Sequence, residues 1–314
     1  MIAQALPSSV LIREVGPREG FQILPRLFET QQKLKLIQAL VDAGLSEIEV
    51  AAFVRPDRVP SMADAEALVA GLPANTRTLF SALYLNVKGF QRAEASGALR
   101  NRGWLYSSPS ESFLRSNNNT TIDEALAAVP MWCDEFRRVG KRVHGLMVST
   151  AFGCGFEGAV KPDAVLRLVG RYRQALASVG EELAEICLAD TVGVAHPNSV
   201  RACIQALRPL GIPLSLHLHN TWGLGVTNVY AGLCEGVSIF ETSIGGLGGC
   251  PFTPGASGNV ATEDVVYLCH ALGVSTGLDL EKLCSAAKLA ESIVGTSVSS
   301  GVYNAWRLSE KKMS

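Results

Sequence analysis

The chain has 314 residues, 47% of them hydrophobic, with 28 basic against 29 acidic side chains and a formal net charge of -1. That length permits a large core in one or two domains, and the balanced charge leaves no basic footprint for nucleic acid or an acidic membrane surface. The eight cysteines are scattered, most inside apolar runs and with no C-x-x-C pair. This argues against zinc ribbons and thioredoxin-type redox sites and for small buried hydrophobes in a reducing compartment.

The first residues show no charged stretch followed by an apolar run, and no Arg-rich leader. The longest charge-free run, Pro209 to Cys234, contains Pro, Gly, His and Asn and does not suit a lipid-spanning helix. The expectation is a soluble, cytoplasmic protein with no membrane partner.

In chain order, Val10–Val15 reads as a strand that runs into Gly16–Gln22, a turn dense in polar groups. Thr30 caps a helix through Ala43, with Leu34, Ile37, Leu40 and Val41 on one face, and Gly44 stops it. Glu47–Val50 is a second strand, whose Glu49 sits in apolar surroundings and needs a partner. A loop with two prolines leads to a helix from about Met62 to Gly71. Strand Thr78–Leu83 precedes helix Val87–Ser96, and strand Gly103–Tyr106 precedes a loop, Ser107 to Asn119, and a long helix over Thr121–Val139. Strand Val143–Val148, loop Ala151–Gly158 and helix Pro162–Val179 follow. Strand Glu185–Ala189 ends at Asp190, and helix Asn198–Leu207 leads to the strand that starts at Leu214. Helix Val226–Cys234, strand Ser238–Thr242, a glycine-rich loop and a helix from Thr262 close the series.

Eight strand–helix units without a break in composition predict an α/β fold, a (β/α)8 TIM barrel with a short C-terminal helical extension. It is expected as one catalytic domain over 1–314, with the barrel at about 10–275 and helices at about 276–314. Catalytic groups of such a barrel gather at the C-terminal ends of its strands. Here those ends carry Arg18, Glu19 and Gln22, then Glu49, Ser107 and Ser108, Asp190, His217 and His219, and finally Cys250 and Asn259.

Leu214–His219 ends in His-Leu-His, and a strand's period of two points His217 and His219 the same way. The pair is either a chelate for a divalent metal or two hydrogen-bonded rim residues. A carboxylate in the same cavity favours the metal, and oxygen and nitrogen donors without a thiolate cluster favour Mg²⁺ or Mn²⁺. Ser243–Asn259 holds six glycines and one cysteine. It is either a flexible surface loop or a lid over a site. Cys250, between Gly249 and Pro251, is poorly explained as core filler and suits a reactive thiol.

Several stretches are recognisable: Glu14-Val-Gly-Pro-Arg-Glu-Gly-Phe-Gln22, Ala43-Gly-Leu-Ser-Glu-Ile-Glu49, Phe53-Val-Arg-Pro-Asp-Arg-Val-Pro60, Leu188-Ala-Asp-Thr-Val-Gly193, His217-Leu-His219, and Gly246-Leu-Gly-Gly-Cys-Pro-Phe252 through Gly255 to Asp264. On these motifs the chain, from Val15 to about Gly301, resembles the 3-hydroxy-3-methylglutaryl-CoA lyases of the metal-dependent lyase and Claisen-synthase barrel superfamily. The resemblance implies a retro-Claisen cleavage of a branched 3-hydroxyacyl-CoA to acetyl-CoA and a 3-oxo acid. It implies Glu19, His217, His219 and Asn259 as metal ligands, Arg18 at the thioester oxygen and Glu49 orienting Arg18. Asp190 would contact the substrate hydroxyl, with Asp190 or His217 as base, and Cys250 would ride the mobile loop. The loop with Ser107, Ser110 and Asn118, together with Gln22, offers hydroxyls and amides to CoA, although the loop equally suits an ordinary helix cap. A homodimer or larger homo-oligomer is implied as well.

The chain departs from the family pattern at several points. The first metal ligand, usually Asp, is Glu19, and the usual Asp-Thr-Tyr-Gly-Gln after the second histidine reads Asn220-Thr-Trp-Gly-Leu224. Cys187 and Ala52 stand where small polar residues are usual, and Arg55 is added after the second strand. Together these point to a pocket of changed polarity and leave the acyl group open. The alternatives are a Claisen-type synthase or pyruvate-type aldolase of the same superfamily, and a barrel that binds an acyl-CoA without turning it over.

Overall fold

The computed structural model describes residues 6–24, 26–74, 76–249 and 258–313. Its eight principal strands are β1 (Leu11–Glu14), β2 (Glu47–Ala52), β3 (Leu79–Leu83), β4 (Gly103–Ser107), β5 (Val143–Val148), β6 (Glu185–Ala189), β7 (Leu214–His217) and β8 (Ile239–Thr242). At least one helix follows each strand, so the expected (β/α)8 class holds. Among the described residues no helix is long and apolar enough to cross a membrane.

The chain forms two compact units. One comprises residues 102–239 with residues 6 and 7. Its strands run in the order β7-β6-β5-β4, all parallel, with Trp104 opposite Gly145, Gly145 opposite Glu185, and Cys187 opposite Ser215. Every residue of β6 is buried, as expected for a parallel strand covered on both faces. Helix Pro162–Ala177 packs beside Pro197–Leu207, which packs beside Gly225–Cys234.

The other unit comprises residues 8–101 and 240–314. Its strand order is β3-β2-β1-β8, and Val15 N–H donates to Thr242 O at 2.9 Å where β1 meets β8. The register of β2 on β3 shifts between Glu49 and Ala51, a bulge that re-aims the side chains around Glu49. Helix Leu280–Val294 packs on Thr30–Asp42 and Thr262–Ala271, and Gly301–Met313 packs on the same C-terminal pair.

Five local expectations are corrected. The polar turn after β1 is an α-helix, Gly16–Ile23, started by Pro17, whose fixed φ and missing N–H suit a first turn. Its Gly20 is needed for packing, since a Cβ there would lie 2.6 Å from Leu247 Cβ. The loop after β4 contains helix Glu111–Asn118. The long helix predicted over 121–139 is two, Ile122–Ala127 and Val129–Arg138, because Pro130 begins a new first turn. The stretch read as a loop over 151–158 opens a small antiparallel ribbon, Gly153–Cys154 against Gly158–Ala159. The strand before the histidines ends at His217, so His219 lies just beyond it.

Candidate active site

In the unit that holds β4 to β7, the ends of β6 and β7 bring three titratable groups together. Asp190 is 1% exposed. Its Oδ1 accepts from Val194 N–H at 2.9 Å and Ala195 N–H at 3.1 Å, and Oδ2 from Ala195 N–H at 3.2 Å. Burial pushes its carboxyl up to about 6, against the opposing influence of His219, the Ala195 and Val194 amides, and His217. The tight turn at Gly193 (φ 68°) delivers those amides, and a Cβ at Gly193 would fall 2.0 Å from Thr221 Oγ1.

His217 and His219 are both buried, and their Nε2 atoms stand 3.3 Å apart. Two imidazole nitrogens bound at roughly 2.1 Å to one ion, at ordinary ligand–metal–ligand angles, are separated by roughly 3.0–3.4 Å. The pair is therefore spaced to share a cation, and the alternation read from the sequence aims both side chains at one point as expected.

A residue missed in the sequence lies at the end of β5. Thr150 is fully buried with φ 53°, a left-handed conformation that costs a β-branched residue about 1–3 kcal/mol. Thr150 N–H donates to Thr191 Oγ1 at 2.8 Å, and its hydroxyl bonds Ser108 Oγ at 2.6 Å. The Ser149-Thr150 pair directly after an apolar strand was the available signal.

The CoA candidates do not form one group. Ser107 is buried at the end of β4. Ser110 caps helix Glu111–Asn118, accepting from Phe113 N–H at 3.2 Å, and its hydroxyl bonds Cys154 Sγ at 3.0 Å. Asn118 is the last residue of that helix, and a rise of 1.5 Å per residue sets it roughly 12 Å from Ser110 along the axis.

In the other unit, helix Gly16–Ile23 carries Arg18 and Glu19 in its first turn. The helix dipole favours Glu19 there and disfavours Arg18, so neighbouring acids have to hold the arginine. Arg18 Nε donates to Glu49 Oε1 at 2.5 Å, and its Nη2 lies 3.1 Å from Glu19 Oε2. Burial works against the guanidinium charge, but the carboxylates of Glu49, Glu19 and Glu241 outweigh it and raise its pKa. Burial also raises the pKa of Glu49, against Arg18 and with the help of Glu241.

Asn259 is 1% exposed. Its Nδ2 donates to Leu247 O at 3.1 Å, while Oδ1 is buried with no hydrogen-bond partner among the described residues. Gly248 separates Asn259 from Glu19: a Cβ there would lie 2.7 Å from Asn259 Nδ2 and 3.6 Å from Glu19 Cγ. Gln22 Oε1 is likewise buried without a partner among the described residues. Cys250 lies outside the described residues. Of the seven described cysteines six are buried, and burial pushes Cys203 and Cys284 up to about 12, so these thiols are inert filler as expected.

Two further buried acids were not singled out in the sequence. Glu14 accepts from Gly16 N–H and Ile244 N–H, each at 2.8 Å, and from Thr262 Oγ1 at 2.5 Å. It ties the start of the Arg18 helix to the turn after β8. Glu263 accepts from Gly245 N–H at 3.1 Å. Burial pushes Glu14 up to about 7 and Glu263 up to about 8. Their signal was weak, since each reads as an ordinary acid beside a strand or a helix start.

The model of the HMGL-like family matches residues 9–290. The chain belongs to the HMGL-like family. It is 39% identical over 290 residues to a hydroxymethylglutaryl-CoA lyase of Pseudomonas mevalonii, covering 92% of this chain and 93% of the relative. It is 36% identical to a 3-hydroxy-3-isohexenylglutaryl-CoA/hydroxy-methylglutaryl-CoA lyase of Pseudomonas aeruginosa, covering 93% and 95%. Among solved structures, an Acinetobacter baumannii HMG-CoA lyase in complex with coenzyme A and 3-methylmalate matches with a TM-score of 0.85 and 35% identity. That match covers 96% of both chains. For an HMGL-like chain, Asp190 and the two histidines stand at the ends of β6 and β7, where a (β/α)8 barrel carries its chemistry.

Proposed function

We propose that this HMGL-like chain is a carbon–carbon lyase that cleaves 3-hydroxy-3-methylglutaryl-CoA, or another 3-hydroxyacyl-CoA branched at C3, to acetyl-CoA and a 3-oxo acid. The observation that carries this reading is the buried His217–His219 pair, with Nε2 atoms 3.3 Å apart, beside an Asp190 anchored by backbone amides. The relatives' names support the substrate class.

The residues fit a divalent ion. Glu19, His217, His219 and Asn259 offer a carboxylate, two imidazoles and an amide oxygen with no thiolate, a set that suits Mg²⁺ or Mn²⁺. Asn259 Oδ1, buried and without a partner among the described residues, is the atom a ligand role would use. A bound ion of this kind supplies Lewis-acid polarisation of the substrate's tertiary hydroxyl and lowers its pKa.

With a ring nitrogen offered to such an ion, His217 would be unavailable as a base, and Asp190 takes the hydroxyl proton. As C3 becomes a ketone, the C2–C3 bond breaks and its electron pair moves onto the thioester as an enolate. Arg18 donates to the enolate oxygen, where charge grows in the transition state, and Glu49 holds the guanidinium in place. Protonation of the enolate carbon, with Cys250 as donor, completes acetyl-CoA. Gln22, Ser107, Ser110 and Asn118 stay as separate candidate contacts for different parts of CoA.

The test is product analysis. Incubation of the protein with Mn²⁺ and 3-hydroxy-3-methylglutaryl-CoA should release acetyl-CoA and acetoacetate in equal amounts. Absence of cleavage across all C3-branched 3-hydroxyacyl-CoA thioesters would remove the lyase reading.

A further inference from the structure

Asn228 lies in the first turn of helix Gly225–Cys234, within the unit that holds β4 to β7, and is fully buried. The other large side chains buried along that helix, Val229 and Leu233, are apolar. Asn228 Nδ2 donates to Ala195 O at 2.9 Å. A backbone carbonyl only accepts, so the amide can face it only through its nitrogen. Asn228 Oδ1 is buried with no hydrogen-bond partner among the described residues. A side chain kept half satisfied on a packed face is weakly explained by stability, because an acceptor buried alone costs about what the single bond gains.

What Asn228 grips is the turn that carries the base. Ala195 N–H donates to Oδ1 and Oδ2 of Asp190, at 3.1 and 3.2 Å. One residue thus gives its N–H to the carboxylate and its C=O to Asn228. The near end of the same turn is held by β5: Thr191 Oγ1 accepts from Thr150 N–H at 2.8 Å. Between the two, Gly193 N–H closes on Asp190 O at 3.0 Å. The turn is pinned at 191 by the end of one strand and at 195 by Asn228.

The same helix is anchored beside the histidines. Asn220 directly follows His219, and its Oδ1 accepts from Gly225 N–H at 2.9 Å, at the first residue of the helix. Gly225 sits so close that a Cβ there would lie 3.0 Å from Asn220 Cβ. Gly225 and Asn228 are less than one helical turn apart, roughly 4.5 Å along the axis. Asn228 N–H donates to Leu224 O at 2.8 Å, which makes that first turn stiff. One short, hydrogen-bonded turn of helix therefore spans from the histidine loop to the Asp190 turn.

We infer that Asn228 is a positioning residue of the reaction: it holds the 190–195 turn, and through Ala195 the Asp190 carboxylate, in a fixed place relative to His217 and His219. Being fully buried, it reaches no substrate itself. The inference rests on the lyase reading above, in which Asp190 takes the hydroxyl proton. A misplacement of about 1 Å in a reacting group can cost about 10²-fold in rate. Substrate is bound through other groups, so the loss falls on kcat and leaves KM nearly as it was.

The experiment uses the full chain with Mn²⁺ and 3-hydroxy-3-methylglutaryl-CoA, and the variant Asn228→Leu, which keeps the side chain's shape and removes its donor. Its kcat should fall about tenfold or more, with KM within about threefold of the wild type. In the Asp190→Asn background the same substitution should cost at most about threefold more, because its effect runs through that carboxylate. Hydrogen–deuterium exchange over residues 190–196, which needs no substrate, should quicken about tenfold or more. Where circular dichroism shows Asn228→Leu unfolded, Asn228→Ser, whose hydroxyl stops one bond short of Ala195 O, carries the same expectations. Unchanged kcat or unchanged exchange in a folded variant overturns the positioning role and leaves the lyase reading standing. So does a full tenfold loss repeated in the Asp190→Asn background. A wild type that cleaves no C3-branched 3-hydroxyacyl-CoA overturns the lyase reading and this inference with it.

Discussion

Arg18 and Glu49 are joined by a 2.5 Å hydrogen bond between a helix that follows β1 and the bulged strand β2. The arginine is further flanked by Glu19 at 3.1 Å. Neither acid neutralises its role: the guanidinium stays charged and keeps donors for an incoming oxygen. Replacement Arg18→Gln should lower kcat by about 10²–10³-fold, as loss of one oxyanion donor does elsewhere. Glu49→Gln should lower it by about 10–100-fold through misplacement of Arg18, given about 1.5–3 kcal/mol for a hydrogen bond to a charged group. Steady-state kinetics check both, and an unchanged kcat in Arg18→Gln would remove it from the reaction.

Asp190 gives a pH signature. Its carboxyl has been pushed up to about 6 and acts as a base only when ionised. The kcat/KM of the wild type should fall as pH drops through about 6, and Asp190→Asn should be about 10²–10⁴-fold slower and lose that limb. A limb that survives in Asp190→Asn belongs to another group.

The buried acids Glu14 and Glu263 act on stability. Both have folded pKa values above the ordinary 4.5, about 7 and about 8, because burial disfavours their charge. The folded state holds these protons more tightly than the unfolded one. Their contribution is therefore fully present below about pH 4.5 and is lost as pH rises through 7 and 8. Over pH 6 to 9 the wild-type Tm should decline, and Glu263→Gln should decline less. A Tm loss of equal size in both proteins over that range would contradict this assignment.

Gly193 tests the link between the Asp190 turn and the histidines. Gly193→Ala meets both a left-handed backbone and Thr221 Oγ1 at 2.0 Å, whereas Gly180→Ala at φ 73° meets no atom within 4 Å. The Gly180 variant should cost about 1 kcal/mol, and Gly193→Ala about 2–3 kcal/mol. Gly193→Ala should also lower kcat, because Val194 and Ala195 N–H hold Asp190. Chemical denaturation and kinetics on the two variants measure the difference.

The barrel was legible because each strand is a short apolar run followed by a helix pattern, and the strand-end rule then selected Arg18, Glu49, Asp190 and the histidines without coordinates. Three features were not legible. The Gly16–Ile23 helix hid behind two glycines and a proline, which read as turn residues although Pro17 is what starts the helix and Gly20 is what lets Leu247 approach. Ser110 reads as a candidate contact for CoA, yet its hydroxyl caps a helix and meets Cys154. The left-handed Thr150 follows from packing against Ser108 and Thr191, residues 42 and 41 positions away, and the adjacent Ser149-Thr150 pair marks only a polar strand end, not that conformation.

The measurement that bears most directly on the central claim is metal dependence with the histidines altered. The purified protein is stripped with EDTA, and cleavage of 3-hydroxy-3-methylglutaryl-CoA and Mn²⁺ affinity by calorimetry are followed as Mn²⁺ is returned, for the wild type and for His219→Ala. Activity should vanish on stripping and return with Mn²⁺ in the wild type, while His219→Ala should bind Mn²⁺ at least tenfold more weakly and recover little activity. Full cleavage by the stripped enzyme, or equal Mn²⁺ affinity in His219→Ala, would contradict the account.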